Sequence, residues 1–137
     1  MLGLSAGPNI VIVGTDLSPI VELAANAGEL KVELQWSAVE HPPHRYHTFL
    51  HLLNSTGALV AQYDGPPVSE FPTDTWPEES NWQDVYSLVL PDVLPPGTYQ
   101  LTGGLYRIDD LTRPALQGPS ELLLPDDRYL LATVHVP

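Results

Sequence analysis

Four of the chain's five histidines lie in a single stretch, HPPHRYHTFLHLL, at positions 41–53. They are His41, His44, His47 and His51. On a helix, His47 and His51 would lie one turn apart and could share a zinc ion, whose bonds to imidazole nitrogen are about 2.0–2.1 Å long. On a strand the same two residues are about 13 Å apart, which is too far to bind one ion. Metal chemistry at this stretch therefore depends on its secondary structure.

The local sequence favours a strand. The two prolines of HPPH break helices, residues 45–54 carry Tyr and Phe, and the turn-forming NSTG closes the stretch. We therefore predict that His41 and His44 lie in a loop and that the chain binds no metal and needs no other cofactor. The alternative is a zinc site built from His41, His44 and His47 with a carboxylate from elsewhere in the chain.

The acidic residues form three adjacent pairs but no recognisable catalytic arrangement. The pairs are Glu78–Glu79, Asp109–Asp110 and Asp126–Asp127. Adjacent acids in loops are usually solvated, and the alternative is a structural calcium ion at one pair. The chain has no Gly-x-Ser-x-Gly motif and no glycine-rich phosphate loop with a lysine, and its lack of cysteine excludes thiol catalysis and disulfides. We therefore predict that the protein is not an enzyme.

Trp82 has the side chain best suited to binding a ligand. It begins an apolar run and is flanked by Asn81, Gln83 and Asp84. A tryptophan ring can stack on the C–H face of a sugar ring while amides and a carboxylate bind the hydroxyl groups. We therefore predict a ligand-binding site at Trp82, Asn81, Gln83 and Asp84. The alternative is that Trp82 packs at a sheet edge.

The charge balance excludes whole classes of partner. The chain has 17 acidic residues against five Lys and Arg, and its formal net charge is −12. Nucleic acids and anionic membrane surfaces both bind clustered cations, so neither is expected as a partner. No apolar run reaches the ~20 residues of a membrane helix, so we expect no membrane insertion. The opening MLGLSAGPN has no basic region and no long apolar segment, so no signal peptide is visible in it.

Short apolar runs between proline- and glycine-rich turns predict the fold. The 137 residues include 15 prolines, and their number suits one domain, residues 1–137. Residues 29–39 alternate cleanly, with Val32, Leu34 and Trp36 on one face. We predict an all-β, antiparallel, immunoglobulin-like β-sandwich of about seven to nine strands. The clearest strand candidates are 8–16, 29–39, 45–54, 58–64, 82–90, 95–108 and 128–136.

The predicted core draws on several of these strands. Its members are Val32, Leu34, Trp36, Phe49, His51, Leu88, Tyr99 and Leu101. His51 follows Phe49 at strand spacing, so we expect it to be buried and neutral, with a pKa below the ordinary ~6.5. If NSTG makes a tight turn, position 51 lies opposite position 60. The expected partner of His51 is then Asp16 or a backbone carbonyl rather than Asp64.

Five motifs together resemble a known domain family. They are GTDL (14–17), LQWSA (34–38), FLHLLNSTGALVAQYDGPP (49–67), FPTDTW (71–76) and LPPGTYQLTGGLY (94–106). In this order they resemble a C-terminal, extracytoplasmic β-sandwich domain of bacterial multi-spanning glycosyltransferases of the dolichyl-phosphate-mannose mannosyltransferase-like kind. The LPPGTY turn and the strand before it are similar, more weakly, to the intracellular proteinase-inhibitor β-sandwich family. The catalytic acids of the transferase family lie in its membrane segments and loops, and none maps onto this chain.

The resemblance implies an accessory module that lies outside the cytoplasm or at the cell surface and inherits no active site. We therefore predict a non-catalytic β-sandwich that binds a glycan or spaces a neighbouring domain. The alternative is a protein-interaction module, either an inhibitor-like loop binder or a surface protein that self-associates through an edge strand.

Overall fold

The computed structural model describes residues 3–7 and 9–137, whose regular secondary structure is almost entirely β. The strands are β1 (Leu4–Ala6), β2 (Ile10–Thr15), β3 (Ile20–Glu22), β4 (Glu29–Ala38), β5 (Tyr46–Leu53), β6 (Leu59–Gly65), β7 (Ser80–Val89), β8 (Gly97–Arg107), β9 (Leu116–Gln117), β10 (Leu123–Leu124) and β11 (Arg128–Val136). Two short 3₁₀ helices, Thr73–Thr75 and Ser120–Leu122, accompany them. Within the described residues, no helix has the length and apolar character needed to span a bilayer.

The strands form two sheets that share one core. The first sheet has the order β7-β4-β2-β1-β9, with antiparallel pairs throughout. The second has the order β10-β11-β8-β5-β6, also antiparallel, and β3 pairs in parallel with β11. The predicted all-β sandwich is confirmed. The described residues form eleven strands rather than seven to nine, because β1, β3, β9 and β10 add pairings of only two or three residues each.

Alternating side chains fill the space between the sheets. In β4, Leu30, Val32, Leu34 and Trp36 are at most 6% exposed, and the residues between them face outward. The indole N–H of Trp36 donates a hydrogen bond to the Tyr86 hydroxyl of β7 at 2.8 Å. Because side chains alternate along a strand, burial of this set fixes which residues of β4 and β7 form the outer face of the first sheet.

The predicted facing of β5 is wrong. Leu50 and Leu52 are fully buried in the core between the sheets, so Phe49 and His51 lie on the outer face of the second sheet. Phe49 is nevertheless only 3% exposed, because the Arg113 guanidinium and neighbouring loops cover its ring. His51 is half-buried and does not belong to the core. Phe49 is thus buried outside the core, and the other six predicted core residues lie in the core as expected.

The β5–β6 hairpin pairs in a different register from the predicted one. His51 lies opposite Gln62 rather than position 60, because the connecting loop is one residue longer than a tight turn and a bulge adds another residue. Asp64 therefore lies opposite Phe49. Since residues two apart on a strand share a face, Asp64 and His51 are on the same outer surface.

Candidate functional site

The four predicted ligand residues lie on β7, the edge strand of the first sheet. Asn81 and Gln83 point outward, whereas Trp82 and Asp84 point toward the inner side, because side chains alternate along a strand. The outward pair is exposed and the inward pair is half-buried. The four residues are therefore divided between two surfaces.

Asn81 and Gln83 join Gln35 of β4 to form what we call the amide surface. Gln35 lies directly opposite Gln83, a position at which cross-strand Cβ atoms are about 4.5–5.5 Å apart. A cavity of about 340 Å³ opens at these residues, and Val13, Trp36 and Trp82 also line it. The three amides are exposed, and none has a side-chain hydrogen bond to another described residue. Because an amide both donates and accepts, this surface can pair with a ligand that does the same.

The Trp82 ring takes part in an aromatic stack at the edge of the sandwich. It lies parallel to the fully buried Trp76 ring, with centroids 5.3 Å apart and planes 15° apart, and Phe71 packs at 5.3 Å. Its indole N–H donates to the Ser80 hydroxyl at 2.8 Å. Asp84, two residues on, accepts hydrogen bonds from the backbone N–H and hydroxyl of Ser69 at 3.2 and 3.3 Å. Both inward residues thus hold the crossover before β7 against the strand.

The outer face of the second sheet carries a second cavity, which we call the polar pocket. Its volume is about 340 Å³, and its lining residues are Phe49, His51, Asp64, Tyr106, Leu111 and Arg113. Strands β5, β6 and β8 supply the first four residues, and the loop after β8 supplies the last two. This loop folds back over the sheet, where the Arg107 N–H donates to the Thr112 carbonyl at 2.8 Å.

Direct contacts fix most of the side chains in the polar pocket. The Tyr106 hydroxyl donates to the Asp64 carboxylate, and the His51 ring packs on Phe49 with centroids 4.9 Å apart. The Arg113 guanidinium lies 4.6 Å from the Phe49 ring centroid, a distance typical of a cation–π contact. One of its N–H groups donates to the Asp126 carbonyl at 2.9 Å.

Burial shifts the pKa values of two groups in the polar pocket, Tyr106 and His51. Burial, together with the hydrogen bond to Asp64, raises the pKa of Tyr106 to about 12, so its hydroxyl keeps its proton. Burial also lowers the pKa of His51; the Arg113 and Arg128 charges lower it further, and Asp64 opposes them. The predicted direction of the His51 shift is confirmed, although its cause is partial burial under a loop rather than a place in the core. The pocket thus presents a protonated tyrosine hydroxyl and an imidazole whose charged form is disfavoured, beside Asp64 and Arg113.

The histidine-rich stretch is loop followed by strand, as predicted. The His41 Nδ1 lies 2.7 Å from the Trp76 carbonyl, and the His44 ring packs edge-on against Tyr46 with centroids 6.2 Å apart. His47 lies on β5 and faces the neighbouring strand. Across residues 3–7 and 9–137, no group of three or more histidine or acidic side chains is arranged to hold a metal ion.

Two other acidic positions make local contacts. Asp16, which was expected as a partner of His51 alongside a backbone carbonyl, instead accepts a hydrogen bond from the Glu33 backbone N–H at 3.0 Å, so the pairing with Asp16 is wrong. The pair Asp109–Asp110 flanks Arg107, with nitrogen–oxygen distances of 2.8 and 3.7 Å.

The residues that sequence reasoning missed come from distant segments. Gln35 joins the amide surface through the β4–β7 register, and Arg113 joins the polar pocket through the fold-back of a loop. One available signal was the double glycine in β8. A Cβ at Gly104 would lie 2.6 Å from the Phe49 ring, so the missing side chain there makes room for an aromatic ring on the outer face.

No protein-family model matches the chain, and none of the curated proteins matches it significantly in sequence. Among solved structures, the C-terminal domain of Wzt aligns with a TM-score of 0.59 at 14% identity, covering 98% of this chain and 77% of that one. At this identity the likeness shows the fold alone, and it agrees with the β-sandwich described above.

Two further solved structures align at lower scores. The CARDB domain of a Pyrococcus furiosus protein, in complex with di-metal ions, has a TM-score of 0.48 at 9% identity, covering 99% of this chain and 96% of that one. The apo form of the Calx CBD1 domain has a TM-score of 0.31 at 9% identity, covering 87% and 91%. Neither score is high enough to support a conclusion about this chain.

Proposed function

We propose that this chain is a single non-catalytic accessory domain, residues 1–137, that binds a neutral glycan outside the cytoplasm or at the cell surface. The observation that carries the proposal is the amide surface, where Gln35, Asn81 and Gln83 surround one cavity with no charged side chain among its lining residues. The resemblance of the sequence motifs to the accessory domains of bacterial glycosyltransferases supports both the location and the class of ligand.

Amides suit a neutral glycan for a simple chemical reason. Each sugar hydroxyl both donates and accepts a hydrogen bond, and so does each side-chain amide. When a glycan binds, the exposed amides lose hydrogen bonds to water. A sugar hydroxyl can replace the water molecule as both donor and acceptor. Val13, at the same cavity, offers apolar contact to the C–H groups of a sugar ring.

The shape of the amide surface favours a chain of sugars over a single unit. Asn81 and Gln83 lie two residues apart on one strand, and Gln35 lies on the next strand of the same sheet. Residues two apart along a strand are separated by about 6.6 Å. An open surface of that extent can contact more than one sugar ring, as the segment of an oligosaccharide would require.

In this proposal Trp82 and Asp84 position the binding strand. The stack of Trp82 on Trp76 and the hydrogen bonds from Ser69 to Asp84 hold β7 from its inner side. The exposed amides on the outer side of β7 are therefore presented on a strand whose position is fixed.

A glycan array, followed by affinity electrophoresis in gels containing the best ligand, tests the proposal. The double variant Asn81→Ala/Gln83→Ala removes two amides, and we expect it to bind the ligand about tenfold more weakly, since each lost neutral hydrogen bond costs roughly 0.5–1.5 kcal/mol. The matched control is Gln117→Ala, which removes an exposed amide at the opposite edge of the same sheet. Equal binding by the double variant and the wild type would contradict the proposal, as would the absence of any neutral glycan ligand.

The second candidate function is self-association through the β7 edge. This strand is ten residues long, lies at the edge of its sheet, and carries Val85 and Val89 at 53% and 77% exposure. Long edge strands with exposed apolar residues can pair with a second copy. Sedimentation velocity over a range of concentrations distinguishes the two functions. A dimer that Val85→Lys dissociates would favour self-association, and a monomer at every concentration would exclude it.

A further inference from the structure

The Asp64 carboxylate in the polar pocket has unused hydrogen-bonding capacity. A carboxylate offers about four lone-pair sites, and the Tyr106 hydroxyl occupies one of them. That bond also fixes the orientation of the carboxylate, and the tyrosine oxygen lies 3.5 Å from the His47 Nδ1. Asp64 is exposed, so its remaining sites are open to a ligand in the pocket.

Arg113 is the complementary donor, and it is held in place before any ligand arrives. Its guanidinium lies 4.6 Å from the Phe49 ring centroid and donates to the Asp126 carbonyl at 2.9 Å. These two contacts hold the guanidinium beside the Phe49 ring. Because a guanidinium has five N–H donors in a rigid fork, several remain to bind a ligand.

The charges of the pocket indicate what kind of ligand fits. One carboxylate and one guanidinium line the same cavity, and burial disfavours the charged form of His51. A singly charged ligand would gain from one of these groups and be repelled by the other. A neutral ligand whose groups both donate and accept can donate to Asp64 and accept from Arg113 at once.

The size and apolar content of the pocket limit the ligand further. Its volume of about 340 Å³ is at the small end of the ~300–1,000 Å³ typical of ligand sites. Tyr106 and Leu111 supply aromatic and apolar surface beside the polar groups. A sugar ring matches this lining, because its hydroxyl groups can pair with the polar side chains and its C–H faces can contact the apolar and aromatic ones.

We infer that the polar pocket is a second carbohydrate site, which takes one neutral sugar unit by binding an adjacent pair of its hydroxyls between Asp64 and Arg113. This site lies on the opposite outer face from the amide surface and does not depend on it. A module with both sites contacts an oligosaccharide segment on one face and a single sugar on the other.

An NMR titration of the ¹⁵N-labelled chain tests the inference. The probes are the methyl glycosides of glucose, mannose, galactose and N-acetylglucosamine, each added to millimolar concentration. At least one of them should shift the backbone amide signals of His51, Leu111 and Arg113 while leaving Asn81 and Gln83 unchanged. The result that overturns the inference is that no glycoside in the panel shifts the pocket signals.

Two variants locate the binding. Asp64→Asn and Arg113→Met should each weaken the interaction about tenfold or more, as expected for a lost hydrogen bond to a charged group. Because Arg113 is exposed and Met keeps an apolar cover over Phe49, Arg113→Met decides the question if Asp64→Asn disturbs the fold. Unchanged affinity in Arg113→Met would overturn the assignment.

A matched control separates this inference from the amide-surface proposal. The double variant Asn81→Ala/Gln83→Ala should bind the monosaccharide as tightly as the wild type does. If that variant loses monosaccharide binding while Arg113→Met retains it, the sugar binds at the amide surface and the pocket assignment is wrong. Methyl glucuronide serves as a charged probe, and its binding in the absence of any neutral glycoside would contradict the ligand class.

Discussion

The two sheets of this domain present opposite kinds of outer face. The first sheet is open at its β4–β7 edge, where Gln35, Asn81 and Gln83 are exposed. The second sheet is covered by the loop after β8, which buries Phe49 on what would otherwise be its solvent face. The first sheet alone thus presents an open amide surface, whereas the loop folded over the second sheet makes a pocket with charged groups.

The largest expected effect is a difference in the free energy of unfolding between variants at inner and outer residues of β4. Leu34→Ala should reduce the free energy of unfolding by about 2–5 kcal/mol, because Leu34 is fully buried between the sheets. Its neighbour Gln35 is exposed, so Gln35→Ala should change the same quantity by less than about 0.5 kcal/mol. Urea denaturation measures both. A large loss in Gln35→Ala would mean that the amide surface is part of the packing rather than free to bind.

The next largest effect is expected when a glycine on each outer face is replaced by alanine and the free energies of unfolding are compared. A Cβ at Gly104 would lie 2.6 Å from the Phe49 ring and 3.0 Å from the Asp127 carbonyl, so Gly104→Ala should cost about 1–3 kcal/mol. A Cβ at Gly14 would meet Gln35 at an ordinary 3.8 Å. Gly14→Ala should therefore leave the unfolding free energy unchanged or slightly higher. Equal effects at the two glycines would contradict the difference between a covered and an open face.

The sequence predicted the facing of β4 but could not predict the covered face of β5. The alternating pattern of residues 29–38 predicted β4 and its facing correctly, because one side of that strand is apolar and the other polar. The strand β5 is apolar on both sides, so its pattern could not distinguish Leu50 from Phe49. Only the distant loop that carries Arg113 explains why an outward Phe49 is buried.

The proposed amide surface contains two of the four residues that the sequence predicted to bind a ligand, Asn81 and Gln83. The alternation along β7 turns the Trp82 side chain away from them, and that alternation was visible in the sequence. A tight turn would leave Asp64 far from His51 along the hairpin. The longer loop and the bulge shift the pairing by two residues and bring Asp64 nearer. Register shifts of this kind depend on turn geometry, which the sequence specified only loosely.

A smaller expected effect is a pH dependence of stability that arises from His51 on the covered face of the second sheet. The pKa of His51 is lowered from 6.5 in the folded state, so the unfolded chain binds a proton more readily and stability falls as the pH drops below about 6.5. Arg113, Arg128 and Asp64 are the charged groups that act on this ring. Urea denaturation at about pH 7.5 and about pH 5.5 measures the change, over a range in which histidine titrates.

Two histidine variants test whether His51 causes this pH dependence of stability. His51→Gln should flatten it, whereas His135→Gln, at an exposed position of β11, should leave it as in the wild type. A wild-type slope in His51→Gln would mean that the covered face does not perturb the ring.

The side-chain NH₂ signals of the three amides test the glycan proposal most directly. We would record ¹⁵N spectra of the chain with neutral cello-, malto- and manno-oligosaccharides. We expect at least one of them to shift the NH₂ signals of Gln35, Asn81 and Gln83 together, while the exposed Gln117 amide at the far edge of the sheet stays unchanged. Oligosaccharides that leave all three signals unmoved, or that move the Gln117 signal equally, would contradict it.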